Sequence, residues 1–307
     1  MNVTTQLAIV FIALLGEVPV QEPKIPDSVK KAQAKLDADP NDQDANLVVG
    51  KYLLGQEKFD EALERLAKGT DPILKGVAQK DISKPDDMVA MAGEWIEAAK
   101  KSVPFRNPMV NRAIYWYSQA WFKADDKEKA KLRPMIAKLA SPPPGFEKPD
   151  KKGESVFGWD YSEVTVAFTD NSFAHSGRKS VKILPMGKAR KDFSYANTAM
   201  LPIVEKKKYI FSAWVFSERT DVDGKMDIVV LDNKGGPKAL LEQTFLIPQD
   251  CPFWQKIAGE VEMPEGAFRV LIHFETKTTT GALWVDDVSI VLDGKDAMRN
   301  GGLEDKK

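Results

Sequence analysis

The 307-residue sequence holds one cysteine, Cys251, and two histidines, His175 and His273. A lone cysteine excludes an intrachain disulfide and any zinc site built on several thiolates. Two histidines leave little material for a His-based metal cage or a triad. Charge of one sign is missing as well: 44 Lys and Arg stand against 45 Asp and Glu, a net charge of -1. No overall field therefore attracts nucleic acid or an anionic membrane. Common chemical motifs are absent too, with no Gly-x-Ser-x-Gly elbow, no phosphate-cradling glycine loop and no His-Glu-x-x-His. Cys251 lies between Asp250 and Pro252 without a local base. What remains is a globular composition, 43% hydrophobic and 29% charged, in a chain long enough for two domains.

The longest uncharged apolar run, LAIVFIALLG (Leu7 to Gly16), is too short for a comfortable membrane span and has signal-peptide length. Polar, proline-rich EVPVQEPKIP follows it. Against a signal peptide, MNVTTQ carries no Lys or Arg, and Leu14-Leu15-Gly16 is a poor match to a small-x-small cleavage site. The expectation is a signal peptide over 1–16 and a disordered segment over 17–27, with secretion or residence in the cell envelope or periplasm. An uncleaved anchor, the one membrane contact the chain offers, and a buried apolar segment are the alternatives.

From 28 to 140 the apolar residues recur at three- and four-residue intervals, the period of an α-helix. In FDEALERLAKG, Phe59, Leu63 and Leu66 form one stripe, with Asp60, Glu61, Glu64 and Arg65 turned outward. VVGKYLLGQEKFDEAL places Gly50, Tyr52, Phe59 and Ala62 close to the spacing of a tetratricopeptide helix pair, where a small residue lets two helices approach. MAGEWIEAAK…NRAIYWYSQAW looks like a second copy, with Gly93 and Ala113 in the small positions. DKEKAKLRPMIAKLA reads as a capping helix, and Tyr115, Trp116, Tyr117 and Trp121 as packing between helices rather than a ligand groove. Residues 141–155, with three consecutive prolines, cannot continue a helix and read as a semi-rigid linker.

Beyond the linker the period changes to two. RKSVKIL, NTAMLPIV, KKYIFSAWVFS, KMDIVVLD, LLEQTFLI, FWQKIAGEVEM, AFRVLIHFET and GALWVDDVSIVL are separated by HSG, DVDG, DNKGG, MPEG and TTTG. Eight short strands without intervening helices imply an antiparallel β-sandwich of jelly-roll type over 156–294, followed by a tail over 295–307. In AFRVLIHFE, alternation puts Phe268, Val270, Ile272 and Phe274 on a core face, and Arg269, Leu271, His273 and Glu275 on a mixed, partly wet one.

SFAHSGRKSVKI, KKYIFSAWVFS, FWQKIAGEVEMPEGAFRVLIHFE and the closing GALWVDDVSI resemble, in that order, the carbohydrate-binding modules of the cellulose- and xylan-binding type. These belong to the galactose-binding-like jelly rolls, and the resemblance covers about Val156 to Leu292. A helical repeat region behind a signal peptide is in turn similar to secreted multidomain proteins of planctomycete-like bacteria. The resemblance implies a structural calcium held by Asp286 or Asp287, since an aspartate of the closing strand commonly approaches that ion in the family. The family's opening Asn-Gly-x-Phe-Glu segment is replaced here by ESVFGWD, and a similar string, RNGGLED, stands at the C-terminus. The alternative is that one aspartate caps a turn through backbone N–H groups while the other faces solvent.

A sugar site needs an aromatic ring for the apolar face of a pyranose and polar neighbours for its hydroxyls. Trp214, on the strand face opposite Tyr209, Phe211, Ala213 and Val215, is the candidate ring, with Arg269, His273 and Glu275 supplying polar contacts. Burial of Trp214 under a loop is the alternative. Trp284 is expected to be buried and Trp254 to plug a sandwich edge. A jelly-roll glycosidase would need two facing carboxylates, yet no strand carries alternating acids, and strict alternation sends Asp286 and Asp287 to opposite faces. The chain is therefore expected to be no enzyme. The reading is non-catalytic binding of a polysaccharide or glycan, with the helices as spacer or protein-interaction platform. The alternative is a structural envelope protein that binds other proteins and has no sugar site.

Overall fold

The structure, a computed structural model, describes residues 25–139, 141–142, 159–161, 167–185, 194–198, 200–233 and 238–298. The expected signal peptide, most of the proline-rich linker and the RNGGLED string lie outside the described residues. Helices fill the first part of the chain and antiparallel sheets the second. The chain divides into two compact units within one helix, Met1–Trp116 and Tyr117–Lys307.

Seven helices are described: α1 (Asp27–Ala38), α2 (Gln43–Gly55), α3 (Phe59–Leu66), α4 (Pro72–Ile82), α5 (Met88–Lys101), α6 (Arg106–Lys123) and α7 (Asp126–Ala137). Aspartates start four of them. Asp42, Asp71, Asp87 and Asp125 each accept hydrogen bonds from backbone N–H groups of the first turn, as at Ala45 (2.8 Å) and Glu128 (2.8 Å). In the first unit, Gly50 lies where a Cβ would stand 2.9 Å from Leu66, so α2 and α3 approach through it as the spacing predicts. Gly93 does not play that part: a Cβ there would meet nothing within 4 Å. The helix spacing of the second segment therefore does not rest on its glycine.

The polar centre of this unit is Asp81, 2% exposed. Its Oδ2 accepts hydrogen bonds from Nε1 of Trp95 (2.7 Å), Nε1 of Trp116 (2.7 Å) and Nε of Arg112 (3.0 Å), while its Oδ1 accepts from Nη2 of Arg112 (2.6 Å). A bidentate guanidinium and two indoles satisfy a carboxylate that burial would otherwise penalise. Trp116 is thus buried as expected, but Tyr115 is exposed, with the Arg112 guanidinium 4.3 Å from its ring centroid.

The second unit contains the end of α6, α7 and the strands β1 (Trp159–Tyr161), β2 (Ala167–Asp170), β3 (Ser180–Ile183), β4 (Ser194–Thr198), β5 (Leu201–Pro202), β6 (Lys208–Glu218), β7 (Gly224–Leu231), β8 (Leu241–Ile247), β9 (Gln255–Glu262), β10 (Arg269–Thr276), β11 (Ala282–Leu292) and β12 (Lys295–Asp296). The α7 segment, read from sequence as a cap on the helical array, is anchored on this unit. Arg133 forms ion pairs with Glu218 (2.7 Å) and Asp250, and Trp121 and Phe122 pack edge-on against Phe253.

Two six-stranded antiparallel sheets form a sandwich. The first runs β1-β4-β10-β7-β8 with β5 beside β10; the second runs β2-β3-β11-β6-β9 with β12 beside β11. Their inner faces share one core. Met226, Ile228 and Val230 of β7 and Val270, Ile272 and Phe274 of β10 meet Phe211, Ala213 and Val215 of β6 and Leu283 and Val285 of β11. The alternation within β6 and β10 is as the sequence predicts, except that Phe268 precedes the strand and is exposed.

Candidate functional site

The outer face of the first sheet carries polar side chains across the middle of the sheet, where an alternating strand normally presents surface residues. Two cross-strand rows build it. In one row, Asn197 of β4, His273 of β10, Asp227 of β7 and Thr244 of β8 are consecutive ladder partners. In the next, Tyr195, Glu275, Lys225 and Leu246 are partners. Each group is held by its neighbour. The His273 Nδ1 lies 2.5 Å from Asn197 Oδ1, and its Nε2 lies 3.4 Å from Glu275 Oε2. Lys225 Nζ stands 3.3 Å from Glu275 Oε1, and the Thr244 hydroxyl donates to Asp227 Oδ1 at 2.5 Å. The Tyr195 ring is partly exposed and lies 5.3 Å, centroid to centroid, from the His273 ring.

Of the residues expected at a sugar site, this face brings together His273 and Glu275. Arg269 shares the face but sits four residues along β10, roughly 13 Å away at the rise of a strand, opposite Leu231 and Pro202. Trp214 is elsewhere. It lies on β6 in the other sheet, on that sheet's outer face, so it cannot complete a site with the three β10 residues. Alternation assigns a residue to one of two faces, but which sheet a strand joins depends on long-range pairing that no period reveals. Tyr195, Asn197, Lys225, Asp227 and Thr244 were not expected here. Alternation in SYANT and KMD carried a signal, because Tyr195, Asn197, Lys225 and Asp227 each lie one position from a core residue; Thr244, in the uniformly polar EQT, carried none.

Around Trp214, Phe216 and Trp284 the outer face of the second sheet is covered by the loop between β2 and β3. Phe173 packs among Phe216, Trp254 and Trp284, with the Trp254 ring stacked on it at 5.4 Å. Trp284 is fully buried as expected, and its Nε1 donates to Asp170 Oδ2 at 2.8 Å. The His175 ring stacks on Trp214 at 3.9 Å and 13°. Trp214 is therefore half-buried with an imidazole on one of its faces, the covered arrangement rather than the open one.

Asp286 and Asp287 hold that loop. Strict alternation would separate them, but the register between β11 and β6 slips between Asp286 and Ser289, and Asp287 has φ +45°. This β-bulge, with one residue in the left-handed region, turns both carboxylates toward the same loop. Asp286 Oδ2 accepts from the backbone N–H of His175 (2.8 Å) and Ser176 (3.1 Å), and its Oδ1 from the N–H of Asp287 (2.7 Å). Asp287 Oδ1 accepts from the Ser176 hydroxyl (2.6 Å), and its Oδ2 lies 2.7 Å from His175 Nδ1. All four oxygens thus meet N–H or O–H groups. Asp286 Oδ2 meets two donors and each of the other three oxygens one, so the pair as placed clamps the loop. Capping is realised by Asp286; the second aspartate does not simply face solvent. Burial, with the Asp287 charge beside it, pushes Asp286 up to about 7. Burial also raises Asp287, but hydrogen bonds from His175 and Ser176 outweigh it and leave that group below its ordinary value.

No family model matches the chain, and no curated protein matches it. Among solved structures, the xylan-binding CBM22-2 domain of Paenibacillus barcinonensis Xyn10C is similar over 48% of this chain and 99% of its own, at 14% identity and a TM-score of 0.36. The CBM22-1 and GH10 modules of a Clostridium thermocellum endo-1,4-beta-D-xylanase are similar over 48% of this chain and 29% of theirs, at 17% identity and 0.35. The enzymatically active domain of a bacteriophage CBA120 tailspike protein is similar over 47% and 21%, at 19% identity and 0.35. The similar region thus spans under a third of the two longer chains. These TM-scores are too low to assign this chain a relationship or a ligand.

Proposed function

We propose that the second unit is a carbohydrate-binding jelly roll that holds a polysaccharide or glycan, without catalysis, on the outer face of its first sheet. The observation that carries this reading is the placement of the partly exposed Tyr195 ring beside Asn197, His273, Glu275 and Lys225 on one rigid sheet. A pyranose offers apolar C–H faces to an aromatic ring and hydroxyls to flanking amide, carboxylate and ammonium groups. Strands fix such groups in place, so little freedom is lost on binding. In this reading the chain is exported to the cell envelope, and the tetratricopeptide-like helices act as spacer or partner platform.

The test is binding of the full chain to a panel of plant, algal and bacterial glycans. Tyr195→Ala should weaken binding at least about tenfold, a loss of roughly 1.4 kcal/mol, whereas Trp214→Ala should leave the affinity unchanged. If no glycan binds, the reading fails and a protein-binding role takes its place. Release of reducing ends from any bound polysaccharide would overturn the non-catalytic part.

A further inference from the structure

We infer that Asp227, His273 and Glu275 form a binding site for a first-row divalent cation of the zinc class. One donor atom from each residue lies within 4.8 Å of the donor atoms of the other two. The set mixes one imidazole nitrogen with two carboxylates, which suits zinc and its neighbours rather than calcium, whose ligands are oxygens.

The orientation of His273 carries the argument. Nδ1 lies 2.5 Å from Asn197 Oδ1, and this directs Nε2 toward Glu275 Oε2 at 3.4 Å. In the tautomer that donates from Nδ1, the Nε2 lone pair lies on the side of the two carboxylates, where one cation can meet all three residues. The other contacts match the outer support that metal ligands commonly have. Thr244 holds Oδ1 of Asp227, and Lys225 engages Oε1 of Glu275 while Oε2 turns toward the imidazole. Asp227 and Glu275 are only 5% and 8% exposed, so two carboxylates are gathered where water screens them poorly. The partly exposed His273 leaves an approach from solvent. The site stands without the glycan reading, because the experiment contains no sugar.

Full-length protein stripped with chelator and then freed of it is titrated with ZnCl2. One equivalent should bind, raise the unfolding midpoint, and shift the ring-proton NMR signals of His273 while leaving those of His175 in place. His175→Ala identifies the two sets of signals. Asp227→Asn and His273→Ala should each weaken zinc binding at least about tenfold, and Asn197→Ala, a positioning change, by about 10- to 100-fold. Co2+ should give a visible absorption band in the unsubstituted protein, which keeps the test open if a variant fails to fold. Absence of binding, binding that spares the His273 signals, or equal stabilisation by CaCl2 would overturn the assignment. The first of these outcomes would mean that a proton on Nε2 fills the gap.

Discussion

Phe245 of β8 lies directly over Gly259 of β9, with its Cε1 2.0 Å from the point where a Cβ would stand. The two residues belong to opposite sheets, and the glycine makes room for the ring at the edge of the core. Gly259→Ala should therefore force the ring or the strand aside and cost about 1–3 kcal/mol, as overpacking does. Urea unfolding measures the loss, and the double change with Phe245→Leu should recover much of it. An unchanged midpoint in the single variant would show that the contact is loose.

The Asp81 carboxylate ties α4 to α5 and α6 through Trp95, Arg112 and Trp116. Asp81→Ala leaves a buried guanidinium without its counter-charge and should destabilise the first unit by about 3–5 kcal/mol. Removing the guanidinium as well, as in Asp81→Leu with Arg112→Met, should be milder than Asp81→Ala, with the loss that remains coming from the indole N–H groups of Trp95 and Trp116. Tryptophan emission follows the transition directly, because two of the ligating groups are indoles.

Asp286 gives stability a definite dependence on pH. Its folded value, about 7, lies above its ordinary 3.8, so between those values the folded chain binds the extra proton. Stability from this group is complete below about pH 4 and is lost as pH rises through 7. Asp287 acts in the opposite sense: its stabilisation is present above its ordinary value and lost in acid. Asp286→Asn should flatten the fall in unfolding midpoint between pH 4.5 and 7.5 relative to the unsubstituted protein. An unaltered slope would locate the proton elsewhere.

Loosening the loop should expose the covered indole. With Asp287→Ala, the carboxylate that holds His175 and Ser176 is gone, and Trp214 should become more accessible to acrylamide. The expected loss of stability is about 1–3 kcal/mol from the unpaired donors. Quenching identical to that of the unsubstituted protein would mean that stacking alone keeps His175 in place.

Local order was legible in the sequence, and long-range order was not. The close approach at Gly50 and the inward Val270, Ile272 and Phe274 follow from a small residue and from alternation. The alternating β10 face also held His273 and Glu275 ready for a site. Two things escaped. The assignment of β6 and β10 to different sheets separates Trp214 from His273, and it is decided by pairings between distant segments. The partners Asp227 and Asn197 come from two other strands, so a search for acids alternating along one strand passes over them. The bulge at Asp287 was hidden for a related reason, since a rule of strict alternation cannot announce its own exception.

That exception carries a further consequence for β11. Leu283 and Val285 face inward before it, and Val288 and Ile290 after it, so Asp287 is the extra residue between two stretches in step. Excising Asp287 would leave Leu-Trp-Val-Asp-Val-Ser-Ile, a strand whose every second residue still points to the interior. A one-codon deletion, ordinarily ruinous inside a central strand, is tolerable to the interior at this one point, and its damage should fall on the grip over the neighbouring loop.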